Sequence, residues 1–171
     1  QQLLDNKTAL ISYHVTDTLV YAFYIDAKEI RLAPIKLKKD LLRLQVKKLR
    51  QALSDYQFIR SHPDMAFEQY QTSAYWFYEQ LVAPIQIPKA TINRLIIVPD
   101  DQLGHLPFEA FLVAQGGQDP DYTNLHYLIK DYKISYNYSA TLLQENTINT
   151  RTQINGKILA MAAKYNPSAD H

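Results

Sequence analysis

The sequence contains no cysteine, only four glycines and only two methionines among its 171 residues. The first absence excludes a disulfide framework, a thiolate metal site and a thiol nucleophile within the chain. It also fits a reducing compartment, so the cytoplasm is the expected location. Scarce glycine beside 13 tyrosines speaks for a packed α/β domain over a loop-rich one. No apolar run approaches the roughly 18 residues needed to span a bilayer, and no membrane association is expected. Gln1-Gln2-Leu3-Leu4 has neither the basic start nor the apolar stretch of a signal peptide. A first residue other than methionine makes a piece of a longer chain the expectation and leaves room for a targeting segment upstream. An excess of charge of one sign is missing too: 18 basic residues meet 17 acidic ones, for a net charge of +1. That balance gives no reason to expect nucleic acid as a partner. What remains is a chain of single-domain size, 47% hydrophobic and 20% charged, able to bury one core.

The first 35 residues read as a three-stranded β-meander. In Ala9 to Val15, the residues Ala9, Ile11, Tyr13 and Val15 share one face while Ser12 and His14 share the other. Thr16-Asp17 suits a turn. Leu19 to Ile25 is apolar on both faces, as a strand covered on both sides would be. Asp26-Ala27-Lys28 turns the chain into a shorter strand, Glu29 to Ala33, which Pro34 is expected to end.

Residues 36–90 read as two helices. Leu42, Val46, Leu49 and Leu53 form one stripe of a helix from Lys38 to Leu53. Its other side is basic, with Lys36, Lys39, Arg43, Lys47 and Arg50 close together. From Lys36 to Arg50 there are seven bases and one acid, Asp40. A solvated helix face is the plain reading; as a docking face it would suit an acidic protein surface or RNA equally. A second helix runs from about Asp64 to Ala83, with Phe67, Tyr70, Ala74, Phe77, Tyr78 and Leu81 as a core stripe. Ser61 or Asp64 is expected to cap it and Pro84 to stop it.

Residues 91–171 alternate in the α/β manner. Leu95 to Val98 is a short apolar run suited to an interior strand. Pro99-Asp100-Asp101 turns the chain, and Leu103 to Leu112 is expected to return as a hairpin-like element. Gln115 to Asn124 is the most loop-like stretch. Tyr127 to Tyr138 reads as strand, Ala140 to Asn146 as a short helix capped by Ser139, Lys157 to Ala163 as a last strand, and Tyr165 to Ser168 as loop.

Chemistry-bearing residues are few and unclustered. His105 stands near Asp100 and Asp101, but a polar turn residue beside solvated carboxylates explains it without a base or a metal. His14, His62, His105, His126 and His171 lack the paired spacing of a metal site. Adjacent carboxylates in a turn diverge, Pro99 and Pro107 act as fixed corners, and Gly116-Gly117 lacks the length and the lysine of a phosphate loop. No catalytic, cofactor-binding or metal residue is assigned, and no cofactor is expected.

The stretch Leu95-Ile96-Ile97-Val98-Pro99-Asp100-Asp101-Gln102-Leu103-Gly104-His105-Leu106-Pro107-Phe108-Glu109-Ala110-Phe111-Leu112 resembles the most recognisable segment of the CHAT family, caspase-like domains often found after tetratricopeptide repeats. The family pattern there is an apolar strand, Pro-Asp-Gly, a Leu two residues on, then Leu-Pro-Phe with an acidic or small residue and Ala-Leu. Asp101 stands where Gly is usual. Tyr75 to Ile85 resembles the family's helix end. Tyr127-Leu128-Ile129-Lys130-Asp131 followed by Ser135-Tyr136 and Ser139-Ala140 is similar to its strand-to-helix passage. Thr8 to Ile25 and Lys157 to Pro167 match the family's opening strand pair and a later strand.

The resemblance implies the amino-terminal part of a three-layer, caspase-like α/β sandwich with an added β-meander. No position here matches the family's catalytic His-Gly or its catalytic Cys. The implied role is therefore a non-catalytic, pseudo-caspase-like portion of a cysteine peptidase, scaffolding the catalytic half and coupling it to upstream repeats. The alternative is an interaction module of an inactive member. Implied partners are proteins: the catalytic half, the repeats, and a second copy through an edge near Lys157 to Ala163.

Overall fold

The computed structural model describes residues 4–117, 120–139, 141 and 145. Five strands form one mixed sheet: β1 (Thr8–Val15), β2 (Val20–Ile25), β3 (Ile30–Ile35), β4 (Arg94–Val98) and β5 (Lys133–Tyr136), in the order β3-β2-β1-β4-β5. The meander is present, with β1–β2 and β2–β3 antiparallel, while β1–β4 and β4–β5 are parallel. Meander and core strands thus share one hydrogen-bonded sheet, with β1 in the middle. The fold is α/β with amino-terminal strands, as the resemblance implies.

Each strand's two-residue period decides which side chains meet the helices. Ile11 and Tyr13 of β1, Ala22 and Tyr24 of β2, and Leu95 and Ile97 of β4 lie on one face and join a single core cluster. Helix α1 (Lys39–Ser54) adds Leu42, Val46, Leu49 and Ala52, one stripe at i, i+4, i+7 and i+10. Helix α3 (Pro63–Phe77) adds Phe67, Tyr70, Ala74 and Phe77. Burying each Leu, Ile, Val or Phe among them contributes about 1.5–3 kcal/mol, and the stacked Phe77 and Phe111 rings, 5.4 Å apart, extend the aromatic layer. On the opposite face, Leu4, Leu10 and Val98 form a small cluster of their own.

Several expectations are corrected. Strand β2 alternates buried and accessible positions, and Phe23 is 39% exposed, so its two faces are not equally covered. Pro34 does not end β3: it pairs opposite Tyr21 inside the strand. An edge strand tolerates a missing N–H that no neighbour needs. A short helix, α2 (Tyr56–Ser61), lies between the two expected ones, with the Asp55 side chain accepting from the Phe58 N–H at 3.0 Å. Neither Ser61 nor Asp64 caps α3; His62 holds that position, and Pro63 supplies the preset first turn.

Pro84 does not simply stop the second helix. After Phe77 the chain widens into a π-helical turn, Tyr78–Val82, then tightens into a 3-10 turn, Ala83–Ile85, and ends at Gln86 with φ 54°. Pro84 has no N–H to give and its ring crowds the preceding turn, which accounts for the local change of pitch. The Tyr13 hydroxyl donates to the Leu81 carbonyl in the widened turn at 3.0 Å, tying β1 to it.

The expected hairpin over Leu103 to Leu112 is instead two 3-10 turns, Asp101–His105 and Phe108–Ala110, followed by a single bridge between Leu112 and Tyr127. Pro107 fixes the corner between the turns. The expected strand over Tyr127 to Tyr138 divides into a helical turn, α4 (Leu128–Asp131), and β5. Of the helix expected over Ala140 to Asn146, Thr141 and Glu145 are described and helical. The rest of it, the strand over Lys157 to Ala163 and the loop after it lie outside the described residues. Among the described residues, no helix is long and apolar enough to cross a membrane.

Candidate functional site

In a parallel sheet the carboxyl ends of neighbouring strands bring loops together, and chemistry collects there. Here β1 and β4 end side by side. The chain leaves β4 through Pro99-Asp100-Asp101, and the two carboxylates diverge as expected. Asp100 accepts from the Val15 N–H at 2.8 Å and faces His14 Nδ1 at 3.3 Å. Asp101 turns the other way and meets Lys39 Nζ at 2.7 Å. The backbone N–H of Lys39 in turn donates to the Asp17 carbonyl at 3.0 Å, so the start of α1 is fastened to the β1–β2 turn.

Asp101 has φ 49°, in the left-handed region that favours glycine. This is the position at which the family pattern carries Gly. Aspartate tolerates that conformation better than most residues, and here the side chain that glycine lacks reaches Lys39. The ammonium group holds the Asp101 carboxyl below the ordinary carboxylate range.

The Leu-Pro-Phe segment is equally occupied. Phe108 is fully buried, its ring 5.5 Å from Tyr13, 4.7 Å from Phe111 and 6.3 Å from Tyr136. Its N–H donates to the Tyr136 hydroxyl at 2.7 Å, and that hydroxyl also bonds Glu109. Burial, then the Glu109 bond, pushes the Tyr136 hydroxyl well above its ordinary pKa. Residues 28 apart in sequence, each within one of the family-like segments, thereby become one unit.

A third cluster joins Asp131, which lies 2.7 Å from His126 Nε2 and 3.0 Å from Lys89 Nζ. Burial works to raise that carboxyl, but the bonds from His126 and Lys89 outweigh it and hold it low. His105 is exposed in the turn after β4 and takes part in none of these bonds. Among the described residues, no group of three His, Asp or Glu is placed to hold a metal ion. The Gly116-Gly117 stretch binds its own chain: the Gly116 N–H donates to Gln71 Oε1 and the Gly117 carbonyl accepts from Gln71 Nε2, both at 3.0 Å.

What the arrangement does chemically is fasten turns to strands. The bonds of Asp100 to Val15, of Asp101 to Lys39 and of Tyr136 to Phe108 escape a reading of sequence because each partner lies far along the chain. The one available signal was the acid standing at a glycine position.

The family profile described as the CHAT domain matches residues 71–170. The matched stretch takes in the end of α3, the Pro99-Asp100-Asp101 turn, the Phe108 corner and β5. No curated protein matches the chain.

Proposed function

This chain belongs to the CHAT domain family, and from that membership we propose that it is a non-catalytic, pseudo-caspase-like portion of a cysteine peptidase. In this role it scaffolds the catalytic half and couples it to upstream repeats. The observation that carries the reading is what the family-like residues do. Asp100, Asp101, Phe108 and Tyr136 hold strands and turns in place, through bonds to Val15, to Lys39 and to each other. A sequence without cysteine cannot itself supply the thiolate that attacks a peptide carbonyl. The catalytic His and Cys of the parent would come from residues outside this chain.

The test is complementation. This chain and the polypeptide encoded after it are produced as separate pieces and mixed. Copurification as a defined complex, with peptidase activity present only in that complex, is the expected result. Full activity of the second piece alone would overturn the scaffold role.

A further inference from the structure

The charge of this chain is near zero only in sum. The segment from Lys36 to Arg50 holds seven bases and one acid, which leaves 11 bases and 16 acids for all other residues. The segment is therefore net positive by six and the remainder net negative by five, so the excess of positive charge sits on and just before α1. Within it, Lys39 is bound to Asp101 at 2.7 Å, and Arg43 reaches Asp40 only at 4.0 Å. Lys47 and Arg50 are exposed and have no ion-pair partner among the described residues.

These side chains line one wall of a groove of about 390 Å³ with Val46 at its floor. Arg43, Lys47 and Arg50 stand on the flank of α1 next to the Asp101–His105 turn, which contributes Gln102. Gln51 and Ser54 continue the wall to Asp55, the one acid in the lining, whose carboxylate is engaged by the Phe58 N–H at 3.0 Å. The Gln51 side-chain oxygen is taken by Gln69 at 3.2 Å and the Gln102 amide nitrogen by Asp101 at 3.3 Å. That leaves a side-chain N–H donor on Gln51 and an acceptor oxygen on Gln102, the two groups a peptide backbone needs.

We propose that this groove docks an extended acidic peptide segment of a partner protein. Alternate side chains of an extended peptide recur about every 6–7 Å on one face. Arg43 and Lys47 are separated by about 6 Å along the helix axis, so carboxylates at i and i+2 meet both cations. Arginine's fork suits a carboxylate in two parallel bonds. A nucleic acid fits less well. From Arg43 to Arg50 the groove runs about 10 Å along the axis, enough for about three phosphates of one strand, and no aromatic ring lines it to stack a base.

The test is a fluorescence-anisotropy titration of the full chain with labelled decaglutamate and, separately, with a decauridylate. The variants are Arg43→Glu/Lys47→Glu/Arg50→Glu and a control of equal charge change, Lys7→Glu/Lys28→Glu/Lys133→Glu. A thermal melt accompanies each; if that of the first variant collapses, the milder Arg43→Gln/Lys47→Gln/Arg50→Gln replaces it, with Lys7→Gln/Lys28→Gln/Lys133→Gln as the control. The expected result is decaglutamate binding weakened about tenfold or more by the groove variant and changed less than about twofold by the control. Equal weakening by both variants would overturn the proposal, as would absence of binding to the unmodified chain. Decauridylate binding tighter than decaglutamate would assign the groove to RNA instead.

Discussion

Val15 and Asp100 close the carboxyl ends of two neighbouring parallel strands, the Val15 N–H donating to Asp100 Oδ2 at 2.8 Å across 85 residues of chain. That N–H lies beyond the last β1–β4 backbone pair, Ser12 with Val98, so the carboxylate continues the ladder where backbone can no longer serve. Asp100→Ala leaves the N–H unpaired and is expected to cost about 1–3 kcal/mol by chemical denaturation. Asp100→Asn keeps an acceptor oxygen and should recover most of that loss. Equal losses in the two variants would show that the bond contributes nothing.

Asp101 separates backbone from side-chain effects. Alanine and glycine both abolish the bond to Lys39, but only glycine relieves a φ of 49°. Asp101→Gly should therefore exceed Asp101→Ala in stability by about 1 kcal/mol, measured by denaturant melts of both variants.

The same residue sets a pH dependence. Its folded carboxyl lies below the ordinary value of 3.8, Lys39 being the main cause. A depressed folded pKa gives stability that is complete above the unfolded value and lost as pH falls through the folded one. The stability gap between the unmodified chain and Asp101→Asn should be widest near neutrality and shrink on acidification below 3.8. A gap that widened in acid would contradict the pairing with Lys39.

Phe108 and Tyr136 predict two losses of different kind. Phe108→Ala opens a cavity among Tyr13, Phe111 and Tyr136 and should cost about 3–5 kcal/mol. Tyr136→Phe keeps the ring but removes the acceptor of the Phe108 N–H, at a cost of about 1–3 kcal/mol. Thermal or denaturant unfolding reads both; a loss under about 1 kcal/mol for Phe108→Ala would place that ring outside the core.

The first strand was legible from its period of two and most of the α1 stripe from its helical repeat, although Ala52 is buried where Leu53, 39% exposed, was expected. The strand around Ile97 was legible as a short apolar run. Leu103 to Leu112 misled for the opposite reason. Leu103, Leu106, Phe108, Phe111 and Leu112 are all buried, yet they sit on 3-10 turns and a Pro corner that have no period of their own. Pro34 misled because whether a strand is at an edge depends on its neighbours, which a local reading of sequence does not supply. The bonds of Asp100, Asp101 and Tyr136 were invisible as pairs, although the segments that carry them were recognisable singly. Diverging carboxylates at Asp100-Asp101 were anticipated from their adjacency in a turn; where each one goes was not.

The most direct measurement is a peptidase assay of the purified chain on a diverse peptide library, side by side with the same chain extended into the sequence that follows it. No cleavage by the chain alone, and cleavage by the extended protein that disappears when a Cys outside this chain is replaced, is the predicted result. Cleavage by the chain alone, abolished by substituting one of its own residues such as His105 or Asp100, would contradict a scaffolding role.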